Sequence, residues 1–251
     1  MNKNHYFCEI TGKQTYEKLT DITVAFPEAE KICSPGQFLH ILCGGNSFLR
    51  RPISICDVSK NSLRFIFEIR GEGTKALAEK GVGDIVDMLA PLGHGFDLSP
   101  KDENVVAVGG GIGCFPLLYA AKRCGSVKAI LGFRNKAAVY GKFVDDFRKV
   151  CEVTLMTDDG TAGENGFTPQ GLVKMLENGE KIDKIITCGP SVMMEKIIST
   201  AEKYSIPCLA SFEERMGCGT GTCLCCSTKI NGKMRCVCKD GPVFEFCGQN
   251  R

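Results

Sequence analysis

Histidine is scarce: His5, His40 and His94 are the only three in 251 residues. They lie far apart in the chain, and neither a serine–histidine–aspartate constellation nor a histidine-rich metal cluster is apparent around them. His40 alternates with Leu39 and Ile41 in a strand-like run, which points to a packed or surface role rather than catalysis. Charge of one sign is missing too. With 31 basic and 29 acidic residues the net charge is +2, which gives no general electrostatic footprint for nucleic acid or an anionic membrane. No apolar run approaches the roughly 20 residues that span a bilayer. The amino terminus, Met1-Asn2-Lys3-Asn4-His5-Tyr6, leads into a polar alternating segment and not an apolar signal core, so the expected location is the cytoplasm. Internal repeats and low-complexity linkers are absent from the sequence. A chain so poor in acid–base machinery suits chemistry carried by bound cofactors that the polypeptide orients.

Cysteine, by contrast, is abundant, with sixteen residues. A small secreted chain with that count would suggest a disulfide framework. Here many thiols stand singly in apolar stretches, as at Cys43, Cys56, Cys114, Cys124, Cys151 and Cys188, where free cysteine behaves as a small hydrophobe. A reduced compartment fits that usage. The exception is the run Cys218-Gly-Thr-Gly-Thr-Cys223-Leu-Cys225-Cys226, with Cys238 twelve positions beyond Cys226. Four residues separate Cys218 from Cys223 and two separate Cys223 from Cys226, the plant-type ligand spacing for a 2Fe–2S cluster. Gly217, Gly219 and Gly221 suit a loop that curls round an inorganic core. Zinc is the competing occupant, because Cys-x-x-Cys knuckles also bind it. Only Cys223 and Cys226 form a clean knuckle, however, and Cys225 and Cys236 add thiols that blur the assignment.

Texture divides the chain into three segments: 1–100, 101–211 and 212–251. The first reads as all-β, with short strands near 6–12, 19–26, 37–43, 51–57, 63–69 and 84–90. Turn signals such as Ser34-Pro35-Gly36, Gly44-Gly45-Asn46 and Lys60-Asn61 separate them. Six strands with one brief helix near 74–80 suggest a small closed barrel. From about 103, strands near 104–108, 127–133, 151–157, 183–188 and 207–211 alternate with helices near 117–123, 143–149, 168–178 and 191–204. That alternation implies a parallel sheet covered on both faces. The last forty residues are a loop-rich appendix holding the cysteines.

Within this frame several motifs suit nucleotide binding, though each has a purely structural counterpart. Strand 104–108 runs into Gly109-Gly110-Gly111-Ile112-Gly113 and a helix, an arrangement that cradles phosphates but that a tight turn would also produce. Asp158-Asp159-Gly160 and Cys188-Gly189-Pro190 each follow a parallel strand, where ligands of open α/β sheets gather; turn chemistry alone would use the same residues. Arg51-Pro52-Ile53-Ser54 opens a strand and offers a guanidinium fork for a diphosphate. Gly71-Glu72-Gly73-Thr74 opens a short helix with Thr74 as a cap.

In this order the motifs resemble the ferredoxin reductase-like family, and within it the electron-transfer subunits of class B dihydroorotate dehydrogenases. The resemblance runs through Pro35-Gly36-Gln37-Phe38-Leu39, Leu49-Arg50-Arg51-Pro52-Ile53-Ser54-Ile55-Cys56-Asp57, Gly71-Glu72-Gly73-Thr74 and Pro91-Leu92-Gly93. It continues through the glycine turn, Cys188-Gly189-Pro190, the segment 213–219 and Asp240-Gly241-Pro242-Val243-Phe244. It implies a six-stranded antiparallel FAD-binding barrel, a parallel-sheet NAD-binding domain and a C-terminal 2Fe–2S subdomain. FAD is expected at Arg51, Pro52, Ile53, Ser54, Ile66, Phe67, Glu68, Gly73 and Thr74, and the cluster on Cys218, Cys223, Cys226 and Cys238. NAD is expected along Gly109, Gly110, Gly111 and Gly113 with Asp158, Cys188, Gly189 and Pro190, although Arg134 after the second parallel strand would also accept the 2′-phosphate of NADP. The implied partner is an FMN-containing catalytic subunit that oxidises dihydroorotate to orotate in pyrimidine (UMP) biosynthesis, two copies with two. Sulfite reductase- and hydrogenase-type subunits of the same family share these parts, and a zinc-stabilised binding module is the non-enzymatic alternative.

Overall fold

The computed structural model describes residues 4–45 and 47–247. Met1–Lys3, part of the amino-terminal expectation, and Asn46, in one of the expected turns, lie outside the described residues. The chain resolves into two compact units, Met1–Gly95 with Glu213–Pro242, and Phe96–Phe212 with Val243–Arg251.

The first unit is built on strands β1 (His5–Tyr16), β2 (Leu19–Ala25), β3 (Phe38–Leu42), β4 (Arg51–Ser59), β5 (Ser62–Glu68) and β6 (Ile85–Leu92), with helices α1 (Ala29–Ile32) and α2 (Glu72–Glu79). These strands close into an antiparallel barrel in the order β1-β2-β5-β4-β3-β6. Its core residues, among them Ile10, Ile22, Leu39, Ile41, Ile55, Phe65 and Met88, are fully buried. Side chains alternate across a strand, so Phe38 and His40 of β3 face away from Leu39 and Ile41. Both sets are buried, because residues of the cysteine segment cover the outer face: a β-carbon on Gly219 would come within 2.8 Å of His40 and 3.2 Å of Leu92 there. Arg50 braces three strands at this point. It forms an ion pair with Asp87 at 2.8 Å and donates to the carbonyls of His40 at 3.3 Å and Asp87 at 3.1 Å. The cysteine segment itself adds the hairpin β13 (Ser227–Ile230) and β14 (Lys233–Cys236) and a helical turn, α7 (Val237–Asp240).

The second unit carries β7 (Val105–Gly110), β8 (Val127–Phe133), β9 (Glu152–Thr157), β10 (Glu164–Asn165), β11 (Lys184–Cys188), β12 (Cys208–Ser211) and β15 (Val243–Phe246). They form one sheet ordered β10-β9-β8-β7-β11-β12-β15, parallel except for β15, which pairs antiparallel with β12. All six residues of β7 are buried, as expected of a central strand covered on both faces. Helices α3 (Leu117–Ala121), α4 (Gly141–Arg148), α5 (Thr168–Glu177) and α6 (Ser191–Tyr204) connect the strands. Val106, Val108, Ile130, Met156, Leu172, Ile185 and Ile197 form one apolar core of this unit. Pro169 sits in the first turn of α5 and Pro190 immediately precedes α6, positions where proline costs a helix no hydrogen bond. No helix among the described residues is long and apolar enough to cross a membrane.

The six barrel strands and the parallel sheet occur where their apolar patterns place them. The structure adds α1, the short edge strand β10, the β13–β14 hairpin, the turn α7 and the antiparallel edge strand β15. It also shows that Gly109 and Gly110 still belong to β7, so the turn proper is the 3₁₀ segment Gly111–Cys114.

Candidate cofactor sites

In the barrel unit, β4 pairs with β3 from Arg51 to Ser54 but with β5 only from Ile55 onward. A bulge between Ile55 and Asp57 marks the change of register. On the other side, Ile66, Phe67 and Glu68 of β5 pair with β2 and have no ladder partner on β4. The two strands therefore stop pairing there, which leaves the β4–β5 opening flanked by Arg51–Ser54 on one side and Ile66–Glu68 on the other. These are the two segments expected to meet the flavin, distant in sequence and adjacent in space. Unpaired strand edges offer backbone donors and acceptors, which a flat heteroaromatic ring with polar edges can use.

The start of α2 stands next to Arg51. A β-carbon on Gly73 would meet Ser47 Oγ at 2.9 Å and Arg51 Nε at 3.2 Å, so glycine there allows the guanidinium to lie against the first helical turn. Arg51 Nη1 is anchored on the Leu49 carbonyl at 2.6 Å. The Thr74 hydroxyl accepts from the amides of Arg70 and Gly71 and donates to the Gly71 carbonyl, and so serves as the cap of α2. Its side chain is thus occupied, which leaves the amides of the first turn as the groups facing an anion. A guanidinium beside a helix amino terminus fits a diphosphate. Charge-assisted hydrogen bonds contribute about 1.5–3 kcal/mol each. Arg51→Ala is therefore expected to weaken FAD binding by about 10- to 100-fold, with Arg51→Lys between the two. Flavin fluorescence on dilution of the holoprotein measures this, and unchanged retention would remove Arg51 from the site.

In the sheet unit the strand order reverses about β7, with β8 on one side and β11 on the other. The carboxyl ends of β7 and β11 thus flank the topological switch point, where open α/β sheets bind ligands. Cys188 pairs with Gly109, which brings the turn after β7 and Cys188-Gly189-Pro190 together. The contact is close: a β-carbon on Gly113 would lie 2.5 Å from the Cys188 oxygen, and one on Gly110 would lie 3.0 Å from Pro190 Cδ. Gly111 differs. Its φ is +57° and a β-carbon there would meet nothing within 4 Å, so this residue presents bare backbone to open space. Asp158 follows β9, two strands from β7, and its amide donates to the Phe133 carbonyl at 3.1 Å. It is not brought to the switch point with the others.

The cysteine segment gathers four of its thiols. Amides of Thr220, Thr222 and Cys223 donate to Cys218 Sγ at 3.4, 3.3 and 3.4 Å. The Gly221 amide donates to Cys238 Sγ at 3.1 Å, and the Cys238 amide to Cys226 Sγ at 3.4 Å. Amide donors aimed at sulfur stabilise thiolates, the form that binds metal. Burial opposes the charge on Cys218, but the amides of Cys223 and Thr220 outweigh it and bring its pKa down to about 6. Cys238 is pushed up to about 12, first by burial and then by Cys226. A buried thiol crowded by another thiol is the situation that a metal cation resolves, because coordination deprotonates both. Cys226 and Cys238 are buried while Cys223 is exposed, so a bound group would reach from the interior to the surface.

These residues fit a 2Fe–2S cluster. The donor set is four thiols, three of them on the four-then-two spacing, with backbone amides directed at Cys218, Cys226 and Cys238, as a thiolate-bound core of two irons requires. The two additional thiols separate. Cys236 Sγ faces Ser227 Oγ at 3.4 Å. Cys225 lies beside Cys223, whose hydrogen bond and charge push its pKa up.

Comparison with known proteins agrees. Residues 213–247 match the iron–sulfur cluster binding domain of dihydroorotate dehydrogenase B. Over 94% of this chain and 93% of its own length, the "Dihydroorotate dehydrogenase B (NAD(+)), electron transfer subunit" of Geobacillus kaustophilus is 37% identical. Its counterpart from Desulforamulus reducens is 38% identical over 87% of each chain. The chain belongs to this family. Among solved structures, an NADH-dependent reduced ferredoxin-NADP oxidoreductase, described in connection with flavin-based electron bifurcation, superposes with a TM-score of 0.84. It is 27% identical, covering 95% of this chain and 87% of that one. A ferredoxin NADP+ reductase from Neisseria gonorrhoeae, 18% identical with a TM-score of 0.63 over 79% of this chain and 91% of its own, shares the fold. As a family member the chain is a flavin and iron–sulfur oxidoreductase subunit.

One residue at this site was not recognisable as part of it. His40 is 1% exposed, and neither ring nitrogen has a hydrogen-bond partner. Burial and then the Arg50 cation push its pKa down to about 4. The backbone of Cys218 and of Arg50 pulls it back up without completing a hydrogen bond to the ring. A strand histidine flanked by Leu39 and Ile41 looks like packing, and no motif connects it with cysteines some 180 positions later.

Proposed function

We propose that this chain is the electron-transfer subunit of a cytoplasmic dihydroorotate dehydrogenase that uses NAD+, acting as part of an orotate reductase (NADH) complex. Its partner is an FMN-containing catalytic subunit that converts dihydroorotate to orotate, two copies of each chain forming the assembly. The observation that carries the reading is the set of four cysteines, three of them aimed at by backbone amides, in the same compact unit as the β4–β5 cleft. When bound, the 2Fe–2S cluster supplies one-electron transfer and FAD supplies the exchange between one-electron and hydride chemistry.

The polypeptide's part is to bind and orient. Cys218, Cys223, Cys226 and Cys238 hold the cluster. Arg51 and the first turn of α2 take the diphosphate of FAD, and the parted strands receive its ring between Arg51–Ser54 and Ile66–Glu68. Gly111 admits the dinucleotide to the backbone after β7, with Cys188-Gly189-Pro190 on the other side of the switch point. Asp158 takes a peripheral place after β9. The exposed Cys223, next to the 60%-exposed Leu224, marks the face offered to the partner. Three segments divide the labour: 1–100 for flavin, 101–211 for NAD and 212–251 for the cluster.

The test is to purify the holoprotein alone and measure NADH oxidation with an artificial acceptor, then dihydroorotate oxidation with and without the FMN-containing subunit. NADH oxidation by the lone chain is expected, with dihydroorotate turnover only in the complex. Dihydroorotate oxidation by the isolated chain would defeat the division of labour. A co-purifying partner without FMN would point instead to the sulfite reductase- or hydrogenase-type relatives.

A further inference from the structure

Strand β3 pairs His40 with Pro52 of β4, so the two side chains stand on the same outer face of the barrel. Pro52 belongs to the wall of the flavin cleft. On its far side His40 meets the cysteine segment: a β-carbon on Gly219 would come within 2.8 Å of His40 Nδ1 and 3.1 Å of its Cγ. Gly219 has φ +71°, so only glycine suits both the backbone and the space. Pro52, His40 and Gly219 therefore form a row from the flavin wall to the residue after Cys218. The middle member is a buried polar ring whose two nitrogens are unpartnered. Leaving such a group unsatisfied is unfavourable, a cost that an apolar residue at this position would avoid.

We propose that His40 is a positioning residue for the iron–sulfur centre. Its Nδ1–H side holds the Cys218–Gly219 turn by donating to the Cys218 carbonyl when the loop is closed round the cluster, and so fixes that turn to the strand pair bearing the flavin wall. The inference rests on the reading of Cys218, Cys223, Cys226 and Cys238 as cluster ligands. Its consequence runs through the amides of Thr220, Thr222 and Cys223, all of which point at Cys218 Sγ. If the turn slackens, these donors lose alignment. Hydrogen bonds to cluster sulfurs favour the reduced, more negative state, so their weakening lowers the reduction potential.

The experiment compares the holoprotein with its His40→Leu and His40→Asn variants. The readouts are iron content, the electron paramagnetic resonance spectrum of the reduced cluster, and separate midpoint titrations of cluster and flavin. Leucine keeps bulk without a donor, whereas asparagine returns a donor near the Nδ1 position. In His40→Leu the reduced-to-oxidised ratio of the cluster at fixed potential is expected to fall about tenfold. That is a downward shift of about 59 mV for a one-electron couple. The g-values should change and the flavin midpoint should not, and His40→Asn should lie close to the parent protein. If His40→Leu keeps the parent spectrum and potential, or if asparagine does no better than leucine, the inference is wrong. Should the leucine variant lose its cluster, asparagine decides: a retained cluster with parent-like g-values supports the role, and a lost one overturns it. A parent protein without any 2Fe–2S signal would instead sink the reading of the cysteines themselves.

Discussion

Serine in place of Cys226 or Cys238 is expected to abolish the iron–sulfur centre. Both thiols are buried, at 1% and 3% exposure, and both receive a backbone amide. A serine hydroxyl is a poor ligand for iron at neutral pH and is too short to keep the same contacts. Changes outside the first ligand sphere already reduce metal affinity by about 10- to 100-fold, so loss of a ligand should exceed that range. Iron and labile sulfide, assayed on anaerobically purified protein, should drop to background while flavin remains. Cys236→Ser and Cys225→Ser provide the contrast. Cys236 faces Ser227, and the Cys225 sulfur is not among those that receive a backbone amide here, so both variants should keep full iron content. If Cys236→Ser loses iron and Cys238→Ser keeps it, the ligand set is wrong. The same assay discriminates the zinc alternative, because zinc-loaded parent protein would contain neither iron nor labile sulfide.

The second large effect is expected at Gly113. An alanine β-carbon would lie 2.5 Å from the Cys188 carbonyl oxygen and 2.6 Å from the Cys188 carbonyl carbon and Gly189 Cα. All three are backbone atoms, and β11 is held in register against β7 by the Cys188–Gly109 pairing, so neither side can yield cheaply. Overpacking of this kind costs about 1–3 kcal/mol. In a protein of this size that lowers the melting temperature by about 2–4 °C per kcal/mol. Because the strain separates the two loops at the switch point, NADH affinity should fall by about tenfold as well, roughly 1.4 kcal/mol. Gly111→Ala supplies a second case. It meets no atom within 4 Å but must adopt a φ of +57°, so it should disturb the backbone without forcing the loops apart. Titration of each holoprotein with NADH, alongside thermal melts, tests both. An unaltered NADH affinity in Gly113→Ala would remove this turn from the dinucleotide site.

Much of the architecture is legible in the amino-acid order because local patterns carry it. Alternating apolar residues mark the barrel strands. Glycine at 109–111 and 113 and proline at 116, 169 and 190 punctuate strand and helix ends, since their backbone limits act within a few residues. The spacing Cys218–Cys223–Cys226 declares a ligand loop for a similar reason: three thiols must reach one small core from a single curled segment. The fourth ligand is harder. Cys236 and Cys238 lie two apart on the same short stretch, and spacing alone leaves both open. Folding separates them, turning Cys238 toward the Gly221 amide and Cys236 toward Ser227.

What no local pattern contains is where strands stop pairing. Nothing in Arg51–Ser54 or Ile66–Glu68 signals that β4 and β5 diverge beyond Ile55; the cleft arises because β4 follows β3 there and β5 follows β2. Nor does the order of residues disclose that Val243–Phe246 returns as an antiparallel edge strand on β12, or that Gly219 lies against His40. By itself, then, the sequence determined the cofactor chemistry, the two sheet types and the expected ligand spacing of Cys218, Cys223 and Cys226, to which the family resemblance added Cys238, because short-range spacing and period encode them. The tertiary structure alone decided where β4 and β5 stop pairing, which thiols the backbone amides face and that His40 is buried against the cysteine segment, because each depends on contacts between segments far apart in the chain.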